Sequence, residues 1–403
     1  MIAALAAGLT SAVIAADNPP ARFKASWESL QQYQCPEWFR DAKFGIWSHW
    51  GPQSVPELTD WYARFLYNPQ GRFDKWQSSW IPTVYLFHRE HYGHPSVFGH
   101  KDICNLFKAE KFDPEKLMDL YVKARAHYFV AQANHHDNFD NWDSKFQPWN
   151  SVNVGPKKDL IALWAKAARA RGLRFGVTSH ASIAWSWFEP SRGSDVDGPL
   201  KGVPYDGNLT KTDGKGKWWE GLDPQDLYGR PHKPGEPPDQ AYIQKFYNRT
   251  IDLLDSYRSD LLYFDAGALP FGQTGLEIAA HYYNASAQWH KGRPEGVINI
   301  KRMPDERRNA VVLDIEGGVS EKLEKLPWQD DTTTGGYFYI KGQKYKTTYG
   351  VITMLADIVS KNGNLLLNIP QHGDGTIDDE VVSFLGQMAD WMKVLGRLAR
   401  VNQ

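Results

Sequence analysis

Cysteine is scarce in this chain of 403 residues, and runs of one charge and long apolar segments are scarce as well. The two cysteines, Cys35 and Cys104, are too few for a disulfide framework, and the sequence leaves open whether they pair. The net charge is −1 and no long basic run is present, so the electrostatic footprint of a nucleic-acid-binding protein is missing. Beyond the first 16 residues no stretch of 18 uninterrupted apolar residues occurs, which excludes a membrane-spanning helix there.

The first 16 residues, MIAALAAGLTSAVIAA, are mostly small and apolar. This composition is typical of the hydrophobic core and cleavage end of a secretory signal, although the usual basic segment does not precede it. We therefore expect residues 1–16 to be the remnant of a signal peptide. The mature protein is then expected to be periplasmic or secreted.

Tryptophan is abundant, with 17 residues beside 19 tyrosines and 19 phenylalanines. The flat faces of tryptophan stack on the C–H faces of sugars, which favours a carbohydrate ligand. The packing of large side chains in a core accounts for most of them.

The repeating unit of the chain is an amphipathic helix, a short apolar strand and a polar loop. In FDPEKLMDLYVKARAH, Asp113 is the predicted N-cap and Pro114 the first helical residue, and YFVAQAN follows as a strand. The same pattern recurs in KDLIALWAKAARARG with LRFGVTSH, and in the helix that precedes SDLLYFDAG. This alternation predicts a (β/α)8-like (TIM-type) barrel over residues 20–400. An open doubly wound sheet is the second choice, because no glycine-rich dinucleotide loop follows an early strand.

One long insertion, at about residues 190–238, interrupts this pattern. It is rich in glycine, proline, aspartate and lysine, and it is longer than most loops of compact domains. Because it follows a predicted strand that ends near His180, it belongs on the face where barrels carry their active sites. It is either a disordered insertion or a functional lid, and the pair Trp218–Trp219 favours a loop that contacts sugar.

Histidines and one aspartate follow the ends of predicted strands. His49 comes after FGIWS, His135 and His136 after YFVAQAN, His180 after FGVTS, and Asp265 after LLYF. The carboxyl ends of barrel strands converge on one mouth, so we expect these side chains in one cleft. An unpaired carboxylate is costly to bury, so Asp265 is expected at the open end of its strand.

Two kinds of chemistry could use this set. Histidines and an aspartate can bind zinc for hydrolysis, but no HxH or HExxH spacing is present. His135 and His136, as neighbours on an extended backbone, are also expected to point to opposite sides. Glycoside hydrolysis instead needs two carboxyl groups at the scissile bond. Asp265 is one candidate, and Glu316, in an EGG loop after the predicted strand Ala310–Leu313, is the other.

Asp314 and Glu321 are the other carboxylates that this stretch offers as partners. Glu321 and Glu324 are expected on the charged face of a short helix. Glu321 stays a competitor of Glu316 for this role.

From Pro36 to Pro370 the sequence resembles the α-L-fucosidases of glycoside hydrolase family twenty-nine. KFGIWSHWG is similar to the family's first strand with its substrate-binding histidine, here His49, and NHHDNF to its paired-histidine motif. DWY (Asp60 to Tyr62) matches a Glu-Trp-Tyr motif whose acid and tryptophan contact fucose, with aspartate in place of glutamate. LLYFDAG matches the strand of the nucleophile.

The resemblance implies a retaining exo-α-L-fucosidase that uses no metal or organic cofactor and acts on fucosylated oligosaccharides or polysaccharides. No nucleic acid or membrane is expected as a partner. The implied catalytic residues are Asp265 as nucleophile and Glu316 as acid/base. The implied substrate-binding residues are His49, Asp60, Trp61, His135, His136, Tyr263 and Lys301. A catalytically weak carbohydrate-binding barrel and a metal-dependent barrel hydrolase are the alternative functions.

The sequence departs from the family pattern at several places. The family's Asn-Asp-Arg is replaced by NIKR, which leaves Lys301 or Arg302 as the basic contact. Thr178 stands where a tyrosine is usual, and His180 is the candidate substitute. Members commonly carry a C-terminal β-sandwich, and we expect none here because the chain runs only about 30 residues past NLLLNIP.

Overall fold

Eight parallel strands close into a barrel in the computed structural model, which describes residues 22–71 and 80–394. Each strand pairs with the next one along the chain, and the last pairs with the first. The strands are β1 Phe44–Ser48, β2 Tyr128–Asn134, β3 Arg174–Ser179, β4 Leu261–Phe264, β5 Val297–Ile300, β6 Val312–Asp314, β7 Trp328–Thr333 and β8 Gly363–Asn368. The predicted (β/α)8-like barrel is confirmed.

Helices surround this barrel in the described part of the chain. They are α1 Trp27–Leu30, α2 Glu37–Ala42, α3 Tyr62–Phe65, α4 Ile81–His91, α5 His100–Leu106, α6 Pro114–Lys123, α7 Leu160–Ala170, α8 Ala184–Trp187, α9 Pro224–Tyr228, α10 Gln240–Tyr257, α11 Gln273–Trp289, α12 Thr348–Ser360 and α13 Asp379–Val394. The predicted caps are present: the Asp113 side chain accepts a hydrogen bond from the Lys116 N–H at the start of α6. Gly172, at φ 74°, allows the left-handed turn that follows α7.

The segment between β6 and β7 contains no helix, so the short helix predicted around Glu321 and Glu324 is wrong. The side chain of Glu324 instead accepts hydrogen bonds from Ser320 at 2.7 Å and from Arg308 at 3.0 Å. Gly317 adopts φ 60°, which turns the chain back towards β7. These side-chain hydrogen bonds hold Glu324 in a segment that is not helical.

The inside of the barrel is apolar at its lower end and polar near the mouth. Leu261, Val297 and Val312 pack there with the ring of Tyr128. The larger apolar cluster lies outside the strands, between the barrel and its helices. Because side chains alternate along each strand, the residues two positions further on face the same interior, one step closer to the mouth.

The insertion at 190–238 is an ordered layer over a second apolar cluster that includes Tyr62, Phe107 and Trp219. Lys101 fixes it to α5, with its ammonium 3.1 Å from a carboxylate oxygen of Asp206. Trp219 is buried, and the indole N–H of Trp218 donates to Asp102 at 2.8 Å. Burial of Trp219 contradicts a sugar contact for that ring, whereas Trp218 is 44% exposed and its contact with sugar stays a prediction.

Cys35 and Cys104 are free thiols, and Cys104 is buried. Among the described residues, no helix is both long and apolar enough to cross a bilayer. Residues 1–16, the predicted signal remnant, lie outside the described residues.

Candidate active site

A cavity of about 400 Å³ opens at the mouth of the barrel, where the carboxyl ends of the strands meet. Its lining includes eight of the nine site residues predicted from the sequence: His49, Asp60, Trp61, His135, His136, Asp265, Lys301 and Glu316. Further lining residues are Trp47, Phe65, Trp80, Ile81, His180, Asp331 and Tyr337. The strand-end histidines and carboxylates thus share one cleft, as the barrel geometry predicted.

Asp265 follows β4 directly and faces three basic side chains. One carboxylate oxygen lies 3.0 Å from His136 Nε2 and 3.3 Å from His180 Nδ1, and the other contacts the ammonium of Lys301. Burial alone would raise the pKa of Asp265, but the attraction and hydrogen bonds of His180 and His136 hold it well below its usual range. Asp265 is therefore an ionised carboxylate at neutral pH.

His135 and His136 lie side by side in the cavity, with ring centroids 4.3 Å apart. The prediction that they point to opposite sides is wrong, because β2 ends at Asn134 and the backbone turns there. This turn is closed by the N–H of Asn138, which donates to the carbonyl of His135 at 3.1 Å. Alternation across an extended strand does not apply beyond that point.

The tautomer of His135 follows from its hydrogen bonds. The N–H of Ala63 donates to Gln53 Oε1 at 3.0 Å, which turns the amide nitrogen of Gln53 towards His135 Nδ1 at 2.7 Å. His135 Nδ1 is then the acceptor, and Nε2 carries the proton. This ring presents an N–H donor to the cavity, which suits a sugar hydroxyl.

The orientation of His136 is also fixed by its hydrogen bonds. Its Nδ1 donates to the backbone carbonyl of His180 at 2.9 Å, while its Nε2 lies 3.0 Å from the carboxylate of Asp265. Both ring nitrogens thus face oxygen acceptors, which fixes the orientation of this ring beside Asp265.

The other three histidines of the cavity have lowered pKa values. Burial lowers the pKa of His49 and of His135 well below the usual range and also lowers that of His180, although the negative charge of Asp265 opposes burial at all three rings. One ring nitrogen of each of these three residues lies within 4.8 Å of the others, and this arrangement could hold a metal ion. The proton on His135 Nε2 favours the donor role over ligation.

Lys301 follows β5 and joins the two candidate catalytic carboxylates. Its ammonium contacts Asp265 and lies 2.7 Å from Glu316 Oε2. Burial would lower the pKa of Lys301, but the negative charges of Asp265 and Glu316 outweigh burial and raise it. The basic contact predicted from NIKR is thus Lys301, which lines the cavity.

A profile described as Alpha-L-fucosidase matches residues 10–397 of this chain. The chain belongs to the alpha-L-fucosidase family. It is an enzyme of the glycoside hydrolase class, and the carboxylate pair of its cavity is of the kind that this class requires.

Individual alpha-L-fucosidases are similar over almost all of the chain. The tissue alpha-L-fucosidase of Homo sapiens is 35% identical over 401 residues, covering 94% of this chain and 72% of that protein. The plasma alpha-L-fucosidase of Homo sapiens is 28% identical over 392 residues, covering 93% and 71%. The crystal structure of Thermotoga maritima alpha-fucosidase in complex with fucose aligns with a TM-score of 0.66 and 30% identity, covering 93% of this chain and 78% of that one.

Asp60 and Trp61 form one wall of the cavity. Burial raises the pKa of Asp60, and the hydroxyl of Thr59 donates to its carboxylate at 3.2 Å. The ring of Trp61 packs edge-on against Trp187 with centroids 4.7 Å apart. This contact fixes the indole as a flat apolar surface beside the histidines.

Tyr263 lies beneath the cavity and is fully buried, so the structure places it below the lining and not in it. Sequence reasoning missed Asp331 and Tyr337, both of which line the cavity. Asp331 belongs to β7, whose sequence WQDDTT has no apolar run to indicate a strand. Both faces of this strand are polar, so no alternation in the sequence marks Asp331 as an inward residue.

Proposed function

We propose that this protein is a retaining exo-α-L-fucosidase of glycoside hydrolase family twenty-nine. The observation that carries the proposal is the contact of Asp265 and Glu316 with one ammonium nitrogen, that of Lys301. Two oxygens bound to one nitrogen lie within about 5–5.5 Å of each other, and retaining enzymes keep their two carboxyl groups at that separation. Inverting enzymes need a wider gap that leaves room for water.

Asp265 is the proposed nucleophile. It is ionised, buried at the end of a rigid strand and oriented by His136 and His180 at 3.0 and 3.3 Å. Its oxygen attacks the anomeric carbon, the bond to the leaving oxygen breaks, and a covalent glycosyl-enzyme forms. Positioned contacts of this kind supply much of the barrier reduction in such reactions.

Glu316 is the proposed acid/base. Its side chain is 44% exposed at the cavity edge, where a leaving sugar departs and water enters. As acid it must carry a proton, so its ion pair with Lys301 has to open when substrate binds. In the second step the Glu316 carboxylate removes a proton from water, which attacks the glycosyl-enzyme and releases fucose with net retention.

The exo mode of action is supported by the closed lower end of the cavity. Tyr263 and Trp47 fill the barrel beneath it, so a glycan chain has no route through. A terminal fucosyl residue fits such a blind cavity, with its hydroxyls facing His49, His135 and Lys301. We therefore propose terminally fucosylated oligosaccharides or polysaccharides as substrates.

Hydrolysis of an aryl α-L-fucoside, followed by NMR of the released anomer, tests this proposal. We expect α-L-fucose as the first product, and release of the β-anomer contradicts a retaining mechanism. Asp265→Gly should lose at least about 10³-fold in kcat, and azide should partly restore glycosyl transfer in this variant. Asp305→Gly is the control, because Asp305 is exposed and does not line the cavity.

The alternative functions give different results in the same assay. A carbohydrate-binding barrel binds fucose without turnover, and a metal-dependent hydrolase loses turnover when a chelator is added. The second alternative is kept because ring nitrogens of His49, His135 and His180 lie within 4.8 Å of one another. Turnover that is unchanged by chelator contradicts both alternatives.

We further propose that the protein is exported, on the strength of the apolar residues 1–16. N-terminal sequencing of the protein secreted by its host tests this: a start close after residue 16 is expected, and a retained residue 1 contradicts it.

A further inference from the structure

Asp314 at the end of β6 and Asp331 of β7 face the inside of the upper barrel, and Asp330 precedes Asp331 on the opposite face of β7. Asp314, Asp330 and Asp331 are each at most 1% exposed. Gln329 Nε2 donates to one oxygen of Asp314 at 2.6 Å, and Gln329 Oε1 accepts from the hydroxyl of Tyr128 at 2.9 Å. The two bonds fix the amide, so Asp314 is held in one orientation.

Within this group, the carboxyl groups of Asp314 and Asp331 form a pair. Asp314 Oδ1 and Asp331 Oδ1 are buried, and no N–H or hydroxyl donor of the described residues reaches either of them. Two neighbouring buried carboxyl groups that lack donors for these oxygens are costly to ionise together, because each would carry an unpaired negative charge. We therefore expect Asp314 and Asp331 to form a carboxyl pair that holds at least one proton.

The charge of this pair changes near neutrality. Burial, followed by the charge of Asp331, raises the pKa of Asp314 well above its usual range, so Asp314 stays protonated and donates. Burial raises the pKa of Asp331 to about 7, against the opposing effects of the Asp314 hydrogen bond and the charge of Lys301. Around neutral pH the second proton leaves, and Asp331 becomes an anion next to a neutral Asp314.

Asp331 is also joined to the proposed catalytic residues. It lines the cavity, and the N–H of Gly317, next to Glu316, donates to its backbone carbonyl at 2.8 Å. The N–H of Gly318 donates to the side chain of Asp330 at 3.1 Å. The loop that carries Glu316 is thus attached to β7 at this point.

We propose that Asp331 is a positioning residue of the fucosidase reaction and acts through Lys301. While the Asp331 carboxyl is neutral, Lys301 stays between Asp265 and Glu316. When it ionises, a third carboxylate competes for the same ammonium, and Asp265 loses one of its three basic partners. This proposal rests on the proposed function, since it assigns a role within that reaction.

Other titratable groups face Asp331, and they have to be separated from it in the test. They are Asp265 and Tyr263 of β4 and its end, Lys301 after β5, Asp314 and Glu316 of β6 and its loop, and Asp330 and Tyr337 of β7 and its loop. Burial raises the pKa of both tyrosines, so they stay neutral through the range in which Asp331 titrates. Asp330 is the nearest competitor, because burial, followed by the charge of Asp331, raises its pKa to about 8. The proposed acid Glu316 has to be separated by the choice of substrate.

The test therefore uses α-L-fucosyl fluoride, whose leaving group needs little protonation from Glu316. For the wild type we expect kcat/KM to fall above neutral pH by up to about tenfold per pH unit, as for one ionising group. Asp331→Asn cannot ionise, keeps the shape and should abolish this fall while retaining activity at acid pH within a few-fold. Asp330→Asn, whose side chain holds the same loop without lining the cavity, should keep the fall.

Two results overturn the proposal. One is an Asp331→Asn profile that falls at the same pH as the wild type. The other is a folded Asp331→Asn protein that has lost on the order of 10²-fold or more at every pH, which assigns Asp331 a direct chemical role instead.

An activity-independent measurement separates this proposal from the proposed function. Infrared difference spectra between acid and alkaline pH should show loss of carboxylic acid C=O absorption through neutral pH in the wild type and in Asp330→Asn. Asp331→Asn should lack this loss near neutral pH, with the absorption of protonated Asp314 unchanged. Wild-type protein without fucoside turnover but with this loss of absorption contradicts the proposed function alone. Turnover without the loss of absorption contradicts the carboxyl pair alone.

Discussion

The ammonium of Lys301 lies 2.7 Å from Glu316 Oε2 and contacts Asp265 with the same nitrogen. One cation therefore joins the end of β5 to the two carboxylates that we propose as acid/base and nucleophile. It balances two negative charges in a partly buried cavity, where unpaired charges are costly. It also holds their separation before substrate arrives.

Replacing Lys301 should therefore impair the reaction more than the fold. We expect Lys301→Met to lose on the order of 10²-fold in kcat/KM on an aryl fucoside, because the orientation of both carboxylates is lost. Lys301→Arg should retain more activity, since it keeps the charge. Lys111→Met, which breaks an exposed pair with Asp374, is the control. Wild-type kinetics in Lys301→Met contradict the assigned role.

Glu316, and not Glu321, should show the kinetic behaviour of an acid/base. Glu316 lines the cavity, whereas Glu321 is exposed and outside the lining. A variant without the acid should hydrolyse activated aryl fucosides far better than natural disaccharides, whose leaving groups need protonation. We expect this dependence in Glu316→Ala and none in Glu321→Ala. If only Glu321→Ala shows it, the acid/base is Glu321.

Much of the barrel could be predicted from the sequence, because most strands are apolar runs and several helices carry a cap and one apolar stripe. The helix bounds around Asp113 and the strand YFVAQAN are examples. β7 was not predicted, because its inward side chains Gln329 and Asp331 are polar and give no apolar run. The polar upper part of the barrel accommodates them. Hydrophobic periodicity gives no signal for such a strand.

The candidate site could be predicted as a set of strand-end residues, but the relations among them could not. The side-by-side rings of His135 and His136 depend on a turn directly after β2. The Asp314–Asp331 pair depends on register between two strands that share few residues. Long-range pairing of this kind is set by the closed barrel, which no local pattern specifies.

His372 should make stability depend on pH. Its ring nitrogens lie 2.7 Å from Glu57 and 2.9 Å from Asp378, which joins the loop before Asp60 to the end of the barrel. Burial would lower the pKa of His372, but the hydrogen bonds of Glu57 and Asp378 outweigh burial and raise it. A raised pKa stabilises the fold fully below the unfolded value of about 6.5, and this contribution is lost as pH rises through the folded value.

The free energy of unfolding should therefore fall by on the order of 1 kcal/mol between mildly acid and mildly alkaline pH through this pair of bonds. Denaturant unfolding of the wild type and of His372→Gln, at both pH values, measures it. The difference between the two proteins should shrink at alkaline pH. His281→Gln, at an exposed pair with Asp255, should leave the pH dependence unchanged. An equal difference at both pH values contradicts the prediction.

Trp80 should affect the choice of leaving group without affecting the chemistry at fucose. Its ring is 46% exposed at the cavity edge and packs edge-on against Phe65, with centroids 5.1 Å apart. It thus offers an apolar platform outside the histidines and carboxylates, where the next sugar of a glycan would lie.

We expect Trp80→Ala to raise KM for fucosylated oligosaccharides, with losses of about 1–2 kcal/mol in transition-state binding, while fucosyl fluoride is turned over as by the wild type. Fluoride has no sugar to place on the platform, so its kinetics report the fucose site alone. Leu86→Ala, a similarly exposed apolar residue of α4 outside the cavity lining, is the matched control. Equal losses on both substrates in Trp80→Ala mean that the ring supports the fucose site, and no loss on either means that the leaving sugar binds elsewhere.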